Sequence, residues 1–275
     1  MPLALLEQRR GGGFRWQDGT LTDLSSIGGP DSAVVDINDD GQVLVTAGDG
    51  GGGTEGWRDF LWNDGVATEI NVPGKDYFSR IDINNSGQVL LGVVTEDEHR
   101  RAMLWEDGSL SDLGEYTAFN INDLGQIALC TEEGLFLWEE GETTKLLDGW
   151  QDGGYLVWDM NDSGQMVGQI SHPDYFHGHP FFYADGRVTD LYPSGTGAAV
   201  VHAVNNIGQA VGCIDSTNGG AVLWENGQTY HLNELMPADS GWQLSIGYDI
   251  NDSGQIVGDG MLNGKPAGFL LTPVR

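Results

Sequence analysis

Apolar and polar residues alternate in short runs along this chain, and the runs come in pairs that flank one recurring polar reversal. Val35-Asp36-Ile37-Asn38-Asp39-Asp40-Gly41-Gln42-Val43-Leu44 is the first copy. It returns as DINNSGQVLL from Asp82, NINDLGQIAL from Asn120, DMNDSGQMVG from Asp159, AVNNIGQAVG from Ala203 and DINDSGQIVG from Asp249. An alternating run, a four-residue reversal ending in Gly and a second alternating run predict a strand, a tight hairpin and another strand. Asn, Gly and Gln are the same in all six copies: Asn38, Asn84, Asn122, Asn161, Asn205 and Asn251, each with Gly three places on and Gln next to it. Gly allows the positive φ of the reversal, and the Asn amide can bond the turn backbone.

Each period holds a second pattern, an apolar pair, an aromatic and another reversal. It reads Phe14-Arg15-Trp16-Gln17-Asp18-Gly19, Phe60-Leu61-Trp62-Asn63-Asp64-Gly65, Met103-Leu104-Trp105-Glu106-Asp107-Gly108, Phe136-Leu137-Trp138-Glu139-Glu140-Gly141, Phe181-Phe182-Tyr183-Ala184-Asp185-Gly186 and Val222-Leu223-Trp224-Glu225-Asn226-Gly227. These predict a third strand, a hairpin and a short fourth strand. Four antiparallel strands per period, at spacings near forty residues, predict an all-β chain folded as a six-bladed β-propeller, one domain over residues 1–275. The last period stops after a third strand, and the chain opens on a third-and-fourth strand hairpin. An N-terminal strand completing the last blade and closing the ring is expected from that mismatch, with seven blades as the alternative.

At these positions the chain resembles the HAF repeat proteins, whose units look like "INxxGQVVG" followed by "HAFLW". His179-Pro180-Phe181 approaches the name triplet; Arg58-Asp59-Phe60, Arg101-Ala102-Met103 and Gly220-Ala221-Val222 occupy the same place elsewhere. The resemblance covers nearly the whole chain. It implies a propeller-like fold, in a family often predicted to be extracellular, and brings no catalytic residues.

Composition narrows the partners. The 43 glycines and 9 tryptophans fit a turn-rich strand protein, and 41 acids against 12 Lys and Arg give a formal charge of -29. Such a surface repels phosphate, so nucleic acid and anionic membranes are not expected partners. A small molecule or peptide fits better, possible cationic character being the sharper form of that expectation, and the chain is expected to be a monomer. Cys130 and Cys213 lie in second strands and read as reduced core residues rather than a disulfide framework. The start, MPLALLEQRR, has a short apolar run followed by its arginines and does not read as a signal peptide. The expected location is cytoplasmic, an exported mature form being the alternative.

Candidate chemistry follows from which loops vary. The Asn and Asp-Gly reversals lie at one end of the strands, and the second-to-third connections and the connections between blades, which change in length and composition, lie at the other. Variable loops on a rigid scaffold are where binding collects. Trp57, Trp150, Trp242 and Tyr175 fall in those loops, with Arg100 beside them and Arg80 as a rare cation in a first strand. These six are the expected ligand-binding residues, although the tryptophans could equally cap contacts between blades.

Catalytic candidates are His172, His177, His202 and Arg80. The segment from Ser171 to His179 holds three of the six histidines, and His172, His177 and Asp174 could ligate zinc or act as acid and base, though their spacing matches no closed ligand set. Asp36, Asn38 and Asp40 match the opening of a calcium loop, with Leu44 and Val45 where a further oxygen is needed. The pattern is otherwise a structural turn, and no cofactor is expected. No nucleophile elbow, phosphate loop, CxxC pair or dinucleotide fingerprint is present. A ligand- or protein-binding propeller is therefore the expected function, and an enzyme of lyase, cyclase or hydrolase type with its centre at the channel mouth is the alternative.

Overall fold

The computed structural model describes residues 13–274 apart from 30, 49–56, 74, 96–98, 150–153, 173–174, 194–196 and 216–218; at 31, 75–81, 172 and 175–177 only the backbone is described. Consecutive strands pair antiparallel with their neighbours in sequence, as hairpin patterning demands. β1 (Phe14–Gln17) and β2 (Thr20–Asp23) form a hairpin of their own. β3 (Asp31–Ile37), β4 (Val43–Gly48), β5 (Arg58–Asn63) and β6 (Val66–Ile70) make the first four-stranded sheet. The next is β7 (Lys75–Ile83), β8 (Val89–Thr95), β9 (Arg100–Glu106) and β10 (Ser109–Gly114), followed by β11 (Thr117–Ile121), β12 (Ile127–Thr131), β13 (Gly134–Glu139) and β14 (Glu142–Asp148). Then come β15 (Gly154–Met160), β16 (Met166–His172), β17 (Tyr175–Ala184) and β18 (Arg187–Asp190), and β19 (Ala198–Val204), β20 (Ala210–Asp215), β21 (Gly220–Glu225) and β22 (Gln228–His231). A four-residue helix, α1 (Leu232–Leu235), precedes the three-stranded sheet of β23 (Trp242–Ile250), β24 (Ile256–Leu262) and β25 (Lys265–Leu271).

At the edges of this scheme the expected N-terminal closing strand falls partly outside the described residues, and one expectation changes. Among the described residues β25 has no fourth strand beside it, and β1 and β2 pair only with each other; residues 1–12 lie outside the described part. The stretch from Ser171 to His179, read from sequence as a loop, is largely strand: β16 runs to His172 and β17 begins at Tyr175, with His172 opposite Tyr175 in register. The apolar and aromatic residues Tyr175 and Phe176 extend the pattern of β17 upstream of the Phe181-Phe182 pair, so the histidines belong to a ladder.

The chain divides into two compact units, residues 1–131 with 138–142, and residues 132–137 with 143–275. In the first unit the second strand of each repeat is buried on both faces: β4 and β8 carry near-continuous apolar runs. Val43 and Val45 pack with Leu24, Val34, Phe60 and Trp62, whereas Leu44 between them faces Ile83, Leu91 and Trp105. Strand alternation thus sends neighbouring side chains into two different cores. The second unit repeats the arrangement, with Ala210 packing toward Val201 and Trp224, and Val211 toward Leu244 and Phe269.

Within each unit the fixed Asn ties one repeat to the next. In the first unit, Asn38 Nδ2 donates to Gln42 Oε1 at 2.7 Å and to the main-chain carbonyl of Asn84 at 3.0 Å, and Asn84 makes the same bonds to Gln88 and Asn122. Their Oδ1 atoms accept from the amides of Gln42 and Gln88. In the second unit Asn161 reaches the carbonyl of Asn205, and Asn205 that of Asn251. The fixed Gly follows from the same packing: a Cβ on Gly87, whose φ is +77°, would crowd Gln42 Oε1 of the preceding repeat at 3.0 Å. One residue further on, Asn85 donates to both Asp39 Oδ2 and Asp123 Oδ2, and Asn206 to both Asp162 Oδ2 and Asp252 Oδ2.

The Asp-Gly reversals are hairpin turns with both central residues at positive φ, for example Asp64 at +43° and Gly65 at +92°. That is the type I′ geometry that matches strand twist and favours Asx-Gly.

Candidate functional site

In the second unit the Asn reversals close β15 to β16, β19 to β20 and β23 to β24 at one end of the strands. The connections β20 to β21 and β24 to β25 are at the other end. A pocket of about 410 Å³ opens there. Cys213, Ile214 and Asp215 from β20, Leu244 and Ile246 from β23 and Met261 from β24 form most of its wall. Its position depends on α1. The sequence predicts a fourth strand reaching Asn233, but β22 stops at His231 and the chain turns into the short helix, which buries Leu232. Asn233 on α1 then accepts from the Leu244 amide at 2.7 Å and donates to the Leu244 carbonyl at 2.9 Å, clamping β23 against the fifth sheet.

Deeper along the same strands lies a group of titratable side chains. The first strand of a repeat carries a β-bulge three residues before the fixed Asn, at Val35, Phe119, Trp158, His202 and Tyr248, whereas the two bulges of β7 fall at Asp76 and Ser79. A bulge re-aims one side chain out of the regular alternation. It also forces small neighbours: a Cβ on Gly212, opposite Val201, would collide with the Val200 carbonyl. In the two consecutive sheets of the second unit the re-aimed residues are His202 and Tyr248, whose ring centroids are 5.7 Å apart with a 57° tilt. The Tyr248 hydroxyl donates to Asp259 Oδ2 at 2.9 Å, and the Tyr248 side of the residue remains 47% exposed. Asp259 pairs in register with the pocket residue Ile246.

The electrostatics of this group all favour neutral forms of its weak acids and base. Burial pushes the His202 pKa down, so its imidazole is neutral near pH 7. Burial, then the hydrogen bond and charge of Asp259, push the Tyr248 phenol up. Burial, then the charge of Asp215, with a smaller contribution from Asp259, push the Cys213 thiol up. Negative charge at the site therefore comes from Asp215 and Asp259, neither of which forms an ion pair among the described residues.

The sequence-selected residues fall in both units. Trp57 is half-buried with its indole against the backbone of Gly48, and Trp242 is half-buried edge-on to Phe269, 6.2 Å between centroids. Both are packed into their own units. Arg100 is exposed at the start of β9, and Arg80 lies in β7 opposite Gly92. Trp150 is outside the described residues, as are the side chains of Arg80, His172, Tyr175 and His177. His179 forms a cross-strand pair with Asp190, Nδ1 to Oδ2 at 2.9 Å; Arg101 with Asp112 and Arg58 with Glu69 fill the same place in other sheets. The position before the aromatic pattern is thus a surface ion-pair position. Of the candidates whose side chains are described, His202 alone joins the cluster beside the pocket.

At the first hairpin, Asp36 accepts the Ile37 amide at 2.8 Å and the Ile83 amide at 3.1 Å, and Asn38 is held as described above, so the oxygens read as calcium ligands face backbone donors. Asp40 is exposed. Among the described residues no three His, Cys, Asp or Glu side chains are grouped so as to hold a metal. Sequence reasoning missed Tyr248, Asp259, Cys213 and Asp215. The available signal was the position three before the fixed Asn, occupied by Val35, Ile81, Phe119 and Trp158 in four repeats and by the polar rings His202 and Tyr248 in the last two.

No protein family and no curated protein sequence matches the chain. Solved structures do. The β-propeller domain of the trilobed protease from Pyrococcus furiosus, described as having an open velcro topology, superposes with a TM-score of 0.66 at 8% identity, over 98% of this chain and 90% of that one. An acylaminoacyl peptidase from Pyrococcus horikoshii gives 0.59 at 11% identity, over 98% of this chain and 48% of that one. A prolyl endopeptidase gives 0.61 at 9% identity, over 98% and 50%. The chain spans about half the length of these two peptidases. At such identities the likeness establishes the fold: an all-β chain of antiparallel, propeller-type sheets. No helix among the described residues is long and apolar enough to cross a membrane.

Proposed function

We propose that the chain is a ligand-binding β-propeller of the HAF repeat type, in which six repeats over residues 1–275 are the six blades of one domain. The bound species is a small molecule or peptide, held at the end of the strands opposite the Asn reversals. The observation that carries this reading is the pocket at Cys213, Leu244, Ile246 and Met261, which opens at the variable end while the fixed turns occupy the other. Its wall mixes the apolar Ile214, Leu244, Ile246 and Met261 with Asp215, Asn233 and Gln243, a concave surface with both apolar area and polar groups to orient a small molecule. The charge of -29 keeps nucleic acid and anionic membranes out of the list of partners, and a cytoplasmic location goes with the reduced cysteines.

The test is a solution NMR screen of small organic molecules and short peptides against the whole chain and against Ser245→Trp, which places an indole in the pocket. Hits are expected to vanish in Ser245→Trp and to survive Leu124→Ser, a change at the exposed tip of an Asn reversal. Hits that persist in Ser245→Trp overturn the reading.

A second reading is favoured by one observation, the neutral imidazole of His202 tilted against the ring of the Tyr248–Asp259 pair. It makes the site an enzyme centre of lyase, cyclase or hydrolase type with His202 as base. The solved structures with this fold include peptidases, which is compatible with hydrolysis. Turnover of an ester or amide substrate that is lost in His202→Gln, with melting behaviour unchanged, supports it; turnover that survives the substitution removes it.

A further inference from the structure

The pocket and the cluster beside it have a chemical character that narrows the ligand. Among the described residues Tyr248 is one of the few large aromatics exposed to nearly half its area, and it stands on a first strand close to Cys213, which shares a pocket wall with Leu244, Ile246 and Met261. Its hydroxyl is spoken for by Asp259, so what it offers a ligand is the face of the ring. That bond to a carboxylate enriches the ring, whose negative face attracts cations. Asp259 is one register step from the pocket wall at Ile246, and Asp215 is in the wall itself. Neither carboxylate has a Lys or Arg partner among the described residues, and the ring packed against Tyr248, His202, is kept uncharged by burial. A half-exposed aromatic ring, two carboxylates without a Lys or Arg partner among the described residues and an adjoining cavity with an apolar part at Leu244, Ile246 and Met261 form a complement to one kind of molecule.

Resting on the binding function above, we propose that this site takes an organic cation, an amine or quaternary ammonium whose charged head lies on Tyr248 beside Asp259 and whose apolar body enters the pocket against Ile246 and Met261. A neutral ligand would leave the carboxylates desolvated without compensation, and an anion would be repelled by them. The aromatic face adds to the attraction, because a weakly hydrated ammonium gives up less water to reach a ring than a metal ion would.

The experiment titrates the full chain with three probes of one size and shape: phenethylammonium, 2-phenylethanol and phenylacetate. Affinities are read by NMR shift perturbation at moderate salt, where the long-range field of the other acids is damped. Phenethylammonium is expected to bind roughly tenfold more tightly than 2-phenylethanol, and phenylacetate more weakly than either. Asp259→Asn is expected to erase most of that preference, and Tyr248→Ala to weaken the cation about fivefold while leaving 2-phenylethanol nearly unchanged. Asp107→Asn, the same charge change at an exposed turn of the first unit, is the control for the overall field, and melting curves confirm that each variant is folded.

Equal affinities for the three probes, no measurable binding, or a cation preference that survives both Asp259→Asn and Tyr248→Ala overturns the proposal. The two readings separate cleanly. If all three probes bind equally and are all lost in Ser245→Trp, the pocket binds ligands but is not selective for cations. If probe binding is indifferent to Ser245→Trp, the pocket itself is the wrong place.

Discussion

The side-chain amide of Asn84 donates to the main-chain carbonyl of Asn122, one repeat away, at 3.0 Å, while its own carbonyl is approached by the amide of Asn38 from the repeat before. At this position each repeat is thus read by its neighbour through the backbone, beside the side-chain bonds that Asn85 makes to Asp39 and Asp123. Only a short side chain with both a donor and an acceptor can cap its own turn through Oδ1 and reach the next repeat through Nδ2. Asp lacks the donor, Ser lacks the reach, and Gln would have to shift the turn.

Asn84 is 2% exposed, so its bonds are not exchanged for water. Asn84→Ala removes the Asn84 donor from Gln88 Oε1 and from the Asn122 carbonyl, which keeps the Gly125 amide, and takes the Oδ1 acceptor from the Ser86 and Gln88 amides; the expected cost is about 2–3 kcal/mol. Denaturant unfolding followed by tryptophan fluorescence measures it. A loss no larger than that of an exposed substitution such as Leu124→Ser would remove the Asn ladder as a stabilising element.

Asp36 predicts a pH dependence with a definite sign. Burial, then the charge and hydrogen bond of the neighbouring Asp82, hold its carboxyl well above the usual carboxylate range, outweighing the amides of Ile37 and Ile83. A raised folded-state pKa means that the folded chain binds the proton more tightly than the unfolded one. The associated stability is full below about pH 3.9, the unfolded value, and is lost as pH rises through the folded one. Asp36→Asn, which mimics the neutral form and copies Asn120 at the same place in the third repeat, is expected to gain on the parent as pH rises from 4 to 8. The gain is on the order of 1 kcal/mol, read from melting curves at both pH values. A parallel pH response in the two proteins would mean that Asp36 is charged in the fold.

Cys213 is half-buried between carboxylates, and its thiol is pushed up by burial, by Asp215 and by Asp259. Alkylation requires the thiolate. At pH 7.5 iodoacetamide is expected to modify Cys213 more slowly than a free thiol, and Asp215→Asn to speed the reaction a few-fold. Mass spectrometry of digested samples separates Cys213 from the buried Cys130. A rate unaffected by Asp215→Asn would show that access alone controls this thiol.

The strand pattern, the hairpins and the sheet content were legible because alternation and turn chemistry are local. Two apolar runs around Asn-x-x-Gly leave a chain few options, and Asp64-Gly65 needs only its own φ angles. Trp242 shows where such reading stops. A tryptophan in a variable connection looks like a recognition ring, but whether it meets solvent depends on Phe269, 27 residues later in sequence, packing edge-on against it. His179 is similar: among three clustered histidines it looks like metal chemistry, and its bond to Asp190 across the β17–β18 ladder makes it a surface pair.

What the sequence determined by itself is therefore the repeat: its strands, its reversals, and the identity of the three residues that every copy needs, since each is dictated by backbone geometry within a few residues. The tertiary structure decided everything that depends on a neighbouring repeat. It made Asn a link between sheets, buried the central strands on both faces, and used a bulge to turn Tyr248 toward Asp259 beside a pocket whose wall comes from two sheets. No local pattern encodes those contacts, because the distance between Cys213 and Met261 is set by how β20 and β23 pack, not by the 47 residues of chain between them.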